Sequence, residues 1–430
     1  MLNYLLSHTP LLYFVQSFWR DEAFSVLAAK QSLGFIITKL GFEPPVYYTL
    51  LHVWMRIFGE SELASRSLSI VGFVLATIVM IEWAYVLYKK HWLSWYLPLF
   101  FFLNPMLLYY AFEVRTYAWY TFFATVMLYT YTRGKWRWFI ASATLGFYTH
   151  AYLLPFIGAL GLHRLWTKRK DLRDVGIKSF LVVGLLILPW LIKIGLEMGR
   201  MQSSWYYPVN WQLVKSALGN LFTGYEGTPW YGWTYTSYLS LLLVGCTLFA
   251  ITNRKQRPQA LLMMLFGGLP LAVIIGISFI KPLFVNRYLI PTAIAEVLIV
   301  TSAIAAIRNP WFQKIVAGVF LAGILWFNWW YPPEHPKPPV RTTFEQIQTL
   351  LKDGDIVVAA DPIIYMETLY YTKDRARVYL YNPDGNPFPW YIGDALVTPE
   401  RMLRDVPTYP ARAFLVHADT SFEVTYRMPL

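Results

Sequence analysis

The stretch Leu261–Ile280 reads LLMMLFGGLPLAVIIGISFI and carries no charge. Wound as a helix, about 20 such residues cross a hydrocarbon core about 30 Å thick. Leu181–Trp190 is a second uncharged run. Across all 430 residues the chain is 56% hydrophobic and 14% charged, with a mean hydropathy of +0.39. A soluble domain is nearer about 45–50% apolar. The reading is a polytopic α-helical membrane protein, and a soluble globular chain is excluded.

Run lengths predict about eleven spans. They lie near 2–18, 63–88, 92–109, 116–131, 137–150, 151–166, 177–196, 235–251, 258–280, 287–306 and 314–331. The first run lacks the basic start and small-residue cleavage site of a signal peptide, so it reads as a retained span. It is short, which raises the expectation that Met1 is not the natural start. The single cysteine, Cys246, lies in an apolar run and has no partner in the chain for a disulfide.

The net charge of +12 is unevenly spread. Residues 332–430 hold ten basic and thirteen acidic side chains, and the first 331 hold 27 and 12. The basic excess therefore lies between membrane runs. It speaks for topology and anionic lipid, not nucleic acid. Every second connection is short and basic. These are Lys89-Lys90-His91, Arg133 to Arg137, Lys168-Arg169-Lys170 with Arg173, Arg254 to Arg257, and Arg308 with Lys314. The positive-inside rule makes them cytoplasmic, which puts the N-terminus inside and the C-terminal part outside.

The alternate connections collect the rare polar groups. The first, about 19–62, holds Asp21-Glu22 and Glu43-Pro44-Pro45. The second holds Glu113, Arg115 and Tyr117, and the third begins at Thr149-His150. The fourth, about 197–234, is aromatic, with Trp205-Tyr206-Tyr207, Trp211, Tyr225 and Trp230. The fifth carries Lys281-Pro282 and Asn286-Arg287-Tyr288. Ionisable residues at membrane depth are costly and usually functional, so one-sided clustering marks a site. Glu296, inside a span, needs a partner that the sequence does not name.

The first loop is more than a linker. Residues 22–32 suit a helix on the membrane surface. Pro44-Pro45 suits the first turn of another, near 46–58, ending at Gly59. Tyr47, Leu51, Trp54 and Phe58 would form its apolar stripe. After Trp329-Trp330-Tyr331, the proline-rich stretch 332–339 reads as a stiff extended linker. Beyond it, Thr343–Leu351 and Ile363–Tyr371 read as helices. Ile356–Ala360, Arg377–Tyr381 and Phe414–His417 read as strands, giving a small α/β domain with a parallel sheet. Asp353-Gly354-Asp355 is a turn, and no glycine-rich phosphate loop is present.

Five blocks together resemble the GT-C class of lipid-linked-sugar glycosyltransferases. More closely, the chain looks like the bacterial and archaeal branch of the protein O-mannosyltransferase and aminoarabinose transferase superfamily (family 39-like). The blocks are Phe18-Trp19-Arg20-Asp21-Glu22-Ala23; Pro44-Pro45-Val46-Tyr47-Tyr48 with Phe58 to Glu62 and Arg66-Ser67-Leu68-Ser69; Tyr110 to Tyr117; Gly146-Phe147-Tyr148-Thr149-His150; and Asn286-Arg287-Tyr288-Leu289. The resemblance implies a GT-C membrane domain over 1–331; the residue patterning sets a linker over 332–340 and a small extracytoplasmic α/β domain over 341–430 after it. It also implies an enzyme of the cell membrane. Such an enzyme moves a sugar from a polyprenyl-phosphate donor to an acceptor on the outer face, inverting the anomeric carbon, with Asp21 as base.

One position departs from the pattern: Glu43 stands where relatives commonly have His or Asn. Oligosaccharyltransferases of the same class use a divalent metal held by acidic residues. Here Arg115, close to Glu113, would repel a cation. A metal-independent enzyme without cofactor is therefore favoured, and Asp21, Glu22 and Glu43 are the alternative metal set.

Glycosyl transfer needs a base for the acceptor and help for the departing phosphate. Adjacent residues on a helix point about 100° apart, so Asp21 and Glu22 cannot share one task. Asp21 is read as the base and Glu22 as an orienter or sugar-hydroxyl ligand. Arg287 and Arg115 suit the phosphate. Glu43, Glu113, Tyr117, His150 and Tyr288 complete the expected substrate-binding set. The plainer readings are snorkelling for Arg287, mutual pairing for Glu113 and Arg115, and a membrane-interface belt for the tryptophans and tyrosines. The rival class is a transporter or flippase, but no inverted repeat is visible.

Overall fold

Six helices of the computed structural model are long and apolar enough to cross a membrane. They are Glu62–Tyr88, Val175–Glu197, Gly232–Thr252, Arg257–Ser278, Asn286–Ala306 and Pro310–Glu334. The structure describes residues 2–168, 173–197, 199, 206 and 208–429. Arg169, Lys170, Trp205 and Tyr207 lie outside the described residues.

The stretch that decided the fold class lies, up to Ser278, in one continuous helix. Arg257–Met263 runs through a π turn at Met264–Gly268 into Leu269–Ser278. A side chain at Gly267 would come within 2.9 Å of the Ala295 Cβ, so the glycine permits the close approach of these two spans. Three expected spans are shorter helices, Tyr117–Arg133, Trp136–Phe147 and Leu154–Thr167.

Two expected spans are broken. The first is split into Leu2–Ser7 and Leu11–Val15, because Pro10 lacks the N–H that would continue the ladder. The third stops at Phe102 and restarts at Pro105. There Asn104 caps the new helix through the Leu107 amide and donates to the Phe222 carbonyl at 2.9 Å. The proline-rich linker is also not extended throughout. Pro332 and Pro333 form the last turn of Pro310–Glu334, closed by His335 stacked on Tyr331.

By its contacts the chain divides into two compact units. The first consists mainly of Arg66–Leu196 and Tyr206–His335. Its centre is Asn286–Ala306, whose apolar window is 94% buried, as expected for a helix hydrophobic on all sides. Trp211–Thr223 and Gly232–Thr252 pack closely within it. A Cβ at Gly219 would sit 2.0 Å from the Thr236 carbonyl oxygen, and the Gly219 amide donates to Ser240 Oγ at 2.8 Å. Gly219→Ala is expected to destabilise by about 1–3 kcal/mol through overpacking, read as a lower Tm of the detergent-purified protein.

The second unit joins Tyr13–Ser65 to the C-terminal residues from Pro336 onward. The first loop forms helices Arg20–Ala29, Leu33–Thr38 and Pro45–Phe58. The last begins at Pro45 and stops at Gly59 with φ 84°, as the sequence indicates. Tyr47 and Leu51 of its stripe are fully buried, whereas Phe58 is exposed.

The C-terminal part is a five-stranded sheet. In chain order the strands are β1 (Ile356–Ala359), β2 (Val378–Tyr381), β3 (Met402–Leu403), β4 (Ala413–Val416) and β5 (Phe422–Thr425). Their spatial order is β3-β2-β1-β4-β5. Val357 pairs with Val378 and Phe414 in parallel, and only β5 runs antiparallel, on β4. β3 and β5 were not anticipated; β3 is two residues long, and β5 is a half-exposed edge without a buried apolar run. Helix Tyr365–Tyr371 packs on helix Arg20–Ala29. At Gly393, φ +85° combines with a Cβ position 2.8 Å from the Phe24 ring, so a glycine is required there.

Candidate active site

The candidate residues fall into two groups, one in each unit.

In the second unit, Asp21 and Glu22 occupy the first turn of helix Arg20–Ala29, where the helix dipole favours negative charge. Their environments differ. Asp21 keeps 16% of its side chain exposed and accepts from Arg20 Nε at 3.2 Å. Glu22 is fully buried and paired at 3.0 Å with Lys337 Nζ. That ammonium also lies 5.8 Å over the Trp19 ring, and the Lys337 amide donates to Gln16 Oε1 at 3.1 Å. Glu22 is thus an anchor for the proline-rich stretch, with no exposed oxygen for a sugar. Lys337→Met leaves Glu22 buried without that cation and is expected to lose about 3–5 kcal/mol, measured as a drop in Tm.

Further ties join the loop to the C-terminal sheet domain. Glu62 accepts from Arg341 and from the Tyr371 hydroxyl, and Tyr371 accepts the Phe18 amide at 2.6 Å. Burial, and then the neighbouring Glu62, pushes the Tyr371 hydroxyl above the usual phenol range, so it stays a donor. Glu60 pairs with Lys30 at 2.5 Å and with Arg375 at 3.7 Å. Glu43 accepts from the Tyr48 hydroxyl at 2.8 Å. Among the described residues no three His, Cys, Asp or Glu side chains gather as a metal ion requires. The alternative set Asp21, Glu22 and Glu43 is therefore not assembled; Glu22 is turned to Lys337 and Glu43 to Tyr48.

In the first unit, Glu113 and Arg115 lie in the turn between helices Pro105–Ala111 and Tyr117–Arg133, and both are buried. Ser69 Oγ fixes that turn by donating to the Glu113 carbonyl at 2.6 Å. The Arg115 guanidinium lies 5.9 Å from the Tyr117 ring, which in turn packs 4.8 Å from Tyr110. His150 caps a 3-10 turn, with Nδ1 accepting the Tyr152 amide at 3.3 Å, so in the neutral ring Nε2 holds the proton. Its ring stacks on Tyr120 at 4.7 Å and lies 4.9 Å from Tyr288. Arg115 and Arg287 are both within electrostatic reach of it.

Arg287 sits on the 3-10 turn Asn286–Leu289 that opens helix Ile290–Ala306. It is 9% exposed and pairs with Glu226 at 3.4 Å. The same Glu226 oxygen accepts from the Tyr110 hydroxyl at 2.7 Å. Arg287 is also within electrostatic reach of Tyr117 and Tyr288. The structure thus brings Glu113, Arg115, Tyr117, His150, Arg287 and Tyr288 into one buried polar cluster.

Sequence reasoning missed Glu226. Its signal was present, since it is the one carboxylate between residues 198 and 234 of the aromatic loop. Of the aromatic candidates, Tyr206 joins the cluster with its ring 6.3 Å from Tyr288, whereas Trp230 is 79% exposed. Glu296 is buried mid-span and lines an apolar cavity of about 190 Å³ with Thr247 and Thr292.

Two crystal structures of ArnT from Cupriavidus metallidurans share this architecture. The apo form superposes with a TM-score of 0.62 at 13% identity, over 94% of this chain and 91% of that one. The form bound to undecaprenyl phosphate gives 0.63 at 14% identity, over the same shares. The fold is the GT-C fold. No family model matches the sequence, and no curated protein does. In GT-C terms, this chain sets its first-loop carboxylates on one compact unit and its arginine–tyrosine cluster on the other.

Proposed function

We propose that this protein is a membrane glycosyltransferase that takes a sugar from a polyprenyl-phosphate donor and passes it to an acceptor on the outer face of the cell membrane. The observation that carries the reading is the buried cluster around Arg115 and Arg287 in a chain so poor in charge. Two guanidiniums lined with tyrosines suit a phosphate whose negative charge grows as it departs. The neighbouring ArnT structure with undecaprenyl phosphate supports the donor class.

In this reading Asp21, the accessible member of the carboxylate pair, removes the acceptor proton as the acceptor atom bonds to the anomeric carbon. The bond from that carbon to the phosphate oxygen breaks with inversion. The electron pair leaves on the polyprenyl phosphate, where Arg287 and Arg115 receive the charge. Tyr117, Tyr288 and His150 line the arginines, and Glu226 holds Arg287 in place. The N-terminus lies in the cytoplasm and the sheet domain outside, by the basic connections. No metal takes part.

The test is transfer from polyprenyl-phosphate sugars by the purified protein in detergent, with and without a strong chelator. Transfer that survives the chelator is expected. Absence of transfer with every donor, together with flux in proteoliposomes, would establish a transporter instead.

A further inference from the structure

Strand β5 is the outer edge of the sheet, and its backbone partners all lie on one side. The His417 amide donates to the Ser421 carbonyl at 2.9 Å. The Arg427 amide donates to the Pro407 carbonyl at 2.8 Å, and the Arg427 carbonyl accepts from the Tyr409 amide at 2.9 Å. Ser421 and Arg427 therefore turn their backbone groups inward, as do Glu423 and Thr425, which face Leu415 and Ala413 of β4. Alternate residues of an extended strand turn their N–H and C=O to opposite sides. Those of Phe422, Val424 and Tyr426 thus point outward, where no described strand follows. Such an open row is a template for another strand.

The side chains along the edge select the strand that fits. Residues 422–428 read FEVTYRM. Phe422, Val424, Tyr426 and Met428 share one face, and Glu423, Thr425 and Arg427 the other. Val424, Tyr426 and Met428 are exposed, and the exposed Tyr409 ring packs 5.5 Å from Tyr426. This apolar strip lies beyond the last span, Pro310–Glu334, where exposed apolar surface marks an interaction site. Laid antiparallel on a copy of itself about Thr425, the strand is self-complementary. Val424 meets Tyr426, Phe422 meets Met428, and Glu423 meets Arg427, the kinds of cross-strand pair that stabilise sheets. The backbone suits the same register. Val424 and Tyr426 form a hydrogen-bonded pair through the groups that point outward. Glu423 and Arg427 form a non-hydrogen-bonded pair, the kind whose side chains lie closer.

Edge strands are commonly guarded by charge. A guard against self-pairing would set like charges at these two positions, whereas a glutamate and an arginine attract. Their present partners are exposed and loosely held: Glu423 lies 3.8 Å from His417, and Arg427 3.6 Å from Asp405. Both can turn to a new partner at little cost. A foreign peptide could use the open backbone row, but it would not call for opposite charges placed evenly about Thr425.

We propose that β5 is the interface for a second copy of this chain, which pairs antiparallel about Thr425 and joins the two sheets into one. The contact is short, so copies free in solution pair weakly. Copies held in one bilayer meet at high effective concentration, and the dimer forms there. The pairing needs no assumption about catalysis.

The test uses the full-length protein in lipid vesicles. Cys246→Ala removes the one native thiol and provides the background. On it, Thr425→Cys should cross-link into a disulfide dimer under mild oxidation, because facing Cα atoms of a non-hydrogen-bonded pair lie about 4.5 Å apart, within disulfide range. Glu423→Cys alone should not cross-link, since its two copies stand about 13 Å apart along the strands. Glu423→Cys combined with Arg427→Cys should. Single-molecule photobleaching reads the dimer fraction without any new thiol. Glu423→Arg should lower the dimer association constant about tenfold, because both Glu–Arg pairs turn to like charge. Arg427→Glu should do the same, and the double exchange Glu423→Arg, Arg427→Glu should restore the wild-type value. Tm should not move in these variants, since the exchanged side chains are exposed.

A wild type that stays monomeric in vesicles overturns the proposal. So does Thr425→Cys without a cross-link, or a cross-link in Glu423→Cys alone. A double exchange as monomeric as the single variants removes the Glu423–Arg427 pairing and the register with it. Monomers that bind an unrelated extended peptide along β5 would reassign the edge to a foreign strand.

Discussion

Asp21→Asn is expected to lower kcat for sugar transfer by about 10²–10⁴-fold, the range for loss of a general base. The substitution changes one oxygen for one NH₂ and keeps the shape of the side chain. The amide oxygen still accepts from Arg20 Nε, and the Asp21 carbonyl still receives Ser25 Oγ, at 2.8 Å in the wild type. The helix start therefore persists, and Tm should stay close to that of wild type. Donor KM should change little, because the proton is taken in the transition state and not on binding. Glu22→Gln supplies the contrast. It removes the charge that holds buried Lys337, so its main effect falls on Tm. A variant pair in which Asp21→Asn keeps wild-type kcat, or in which Glu22→Gln proves the less active and the more stable of the two, would transfer the base role away from Asp21.

How far the fold could be read from sequence depended on the range of the interactions behind each element. The spans were legible because burial in lipid is written in composition. Leu261–Ile280 needs no neighbour to declare itself. Breaks inside spans were less visible: Asn104-Pro105 is a helix start in mid-run, and hydropathy passes over it. The first-loop helix Pro45–Phe58 was legible at both ends, since Pro45 and Gly59 act locally. The short strand β3 was not, because its two residues are held by pairing to Leu380 and Tyr381, far away in sequence.

The same distinction divides the candidate site. Glu113, Arg115, Tyr117, His150, Arg287 and Tyr288 fall in or beside the connections that alternate with the basic ones, so charge patterning alone could group them. Asp21 and Glu22 are adjacent and chemically alike, and only packing separates them: one keeps 16% of its side chain exposed beside Arg20, the other is sealed against Lys337. Glu226 escaped because it meets its partner through tertiary contact, Arg287 at 61 residues' separation. An acid whose partner is remote in sequence leaves no local pattern to read.

Arg287→Gln is expected to cut kcat by about 10²–10³-fold, as removal of a fixed donor to a developing negative charge does. Two effects are mixed in that number. The guanidinium also pairs with Glu226, which shares the same oxygen with the Tyr110 hydroxyl. Taking the cation away leaves Glu226, whose side chain is 31% exposed and can be hydrated, so the fold should weaken by only about 1 kcal/mol. The double variant Arg287→Gln, Glu226→Gln separates the two. It removes both charges, so Tm should recover, while transfer should stay as low as in the single variant. Arg287→Lys adds a third reading. A lysine keeps the charge but loses the planar fork that can hold Glu226 and a phosphate oxygen together. It should recover part of the Tm and less of kcat. If instead the double variant regains wild-type transfer, Arg287 serves only to neutralise Glu226. The departing phosphate must then be met by Arg115, the other buried arginine of the cluster.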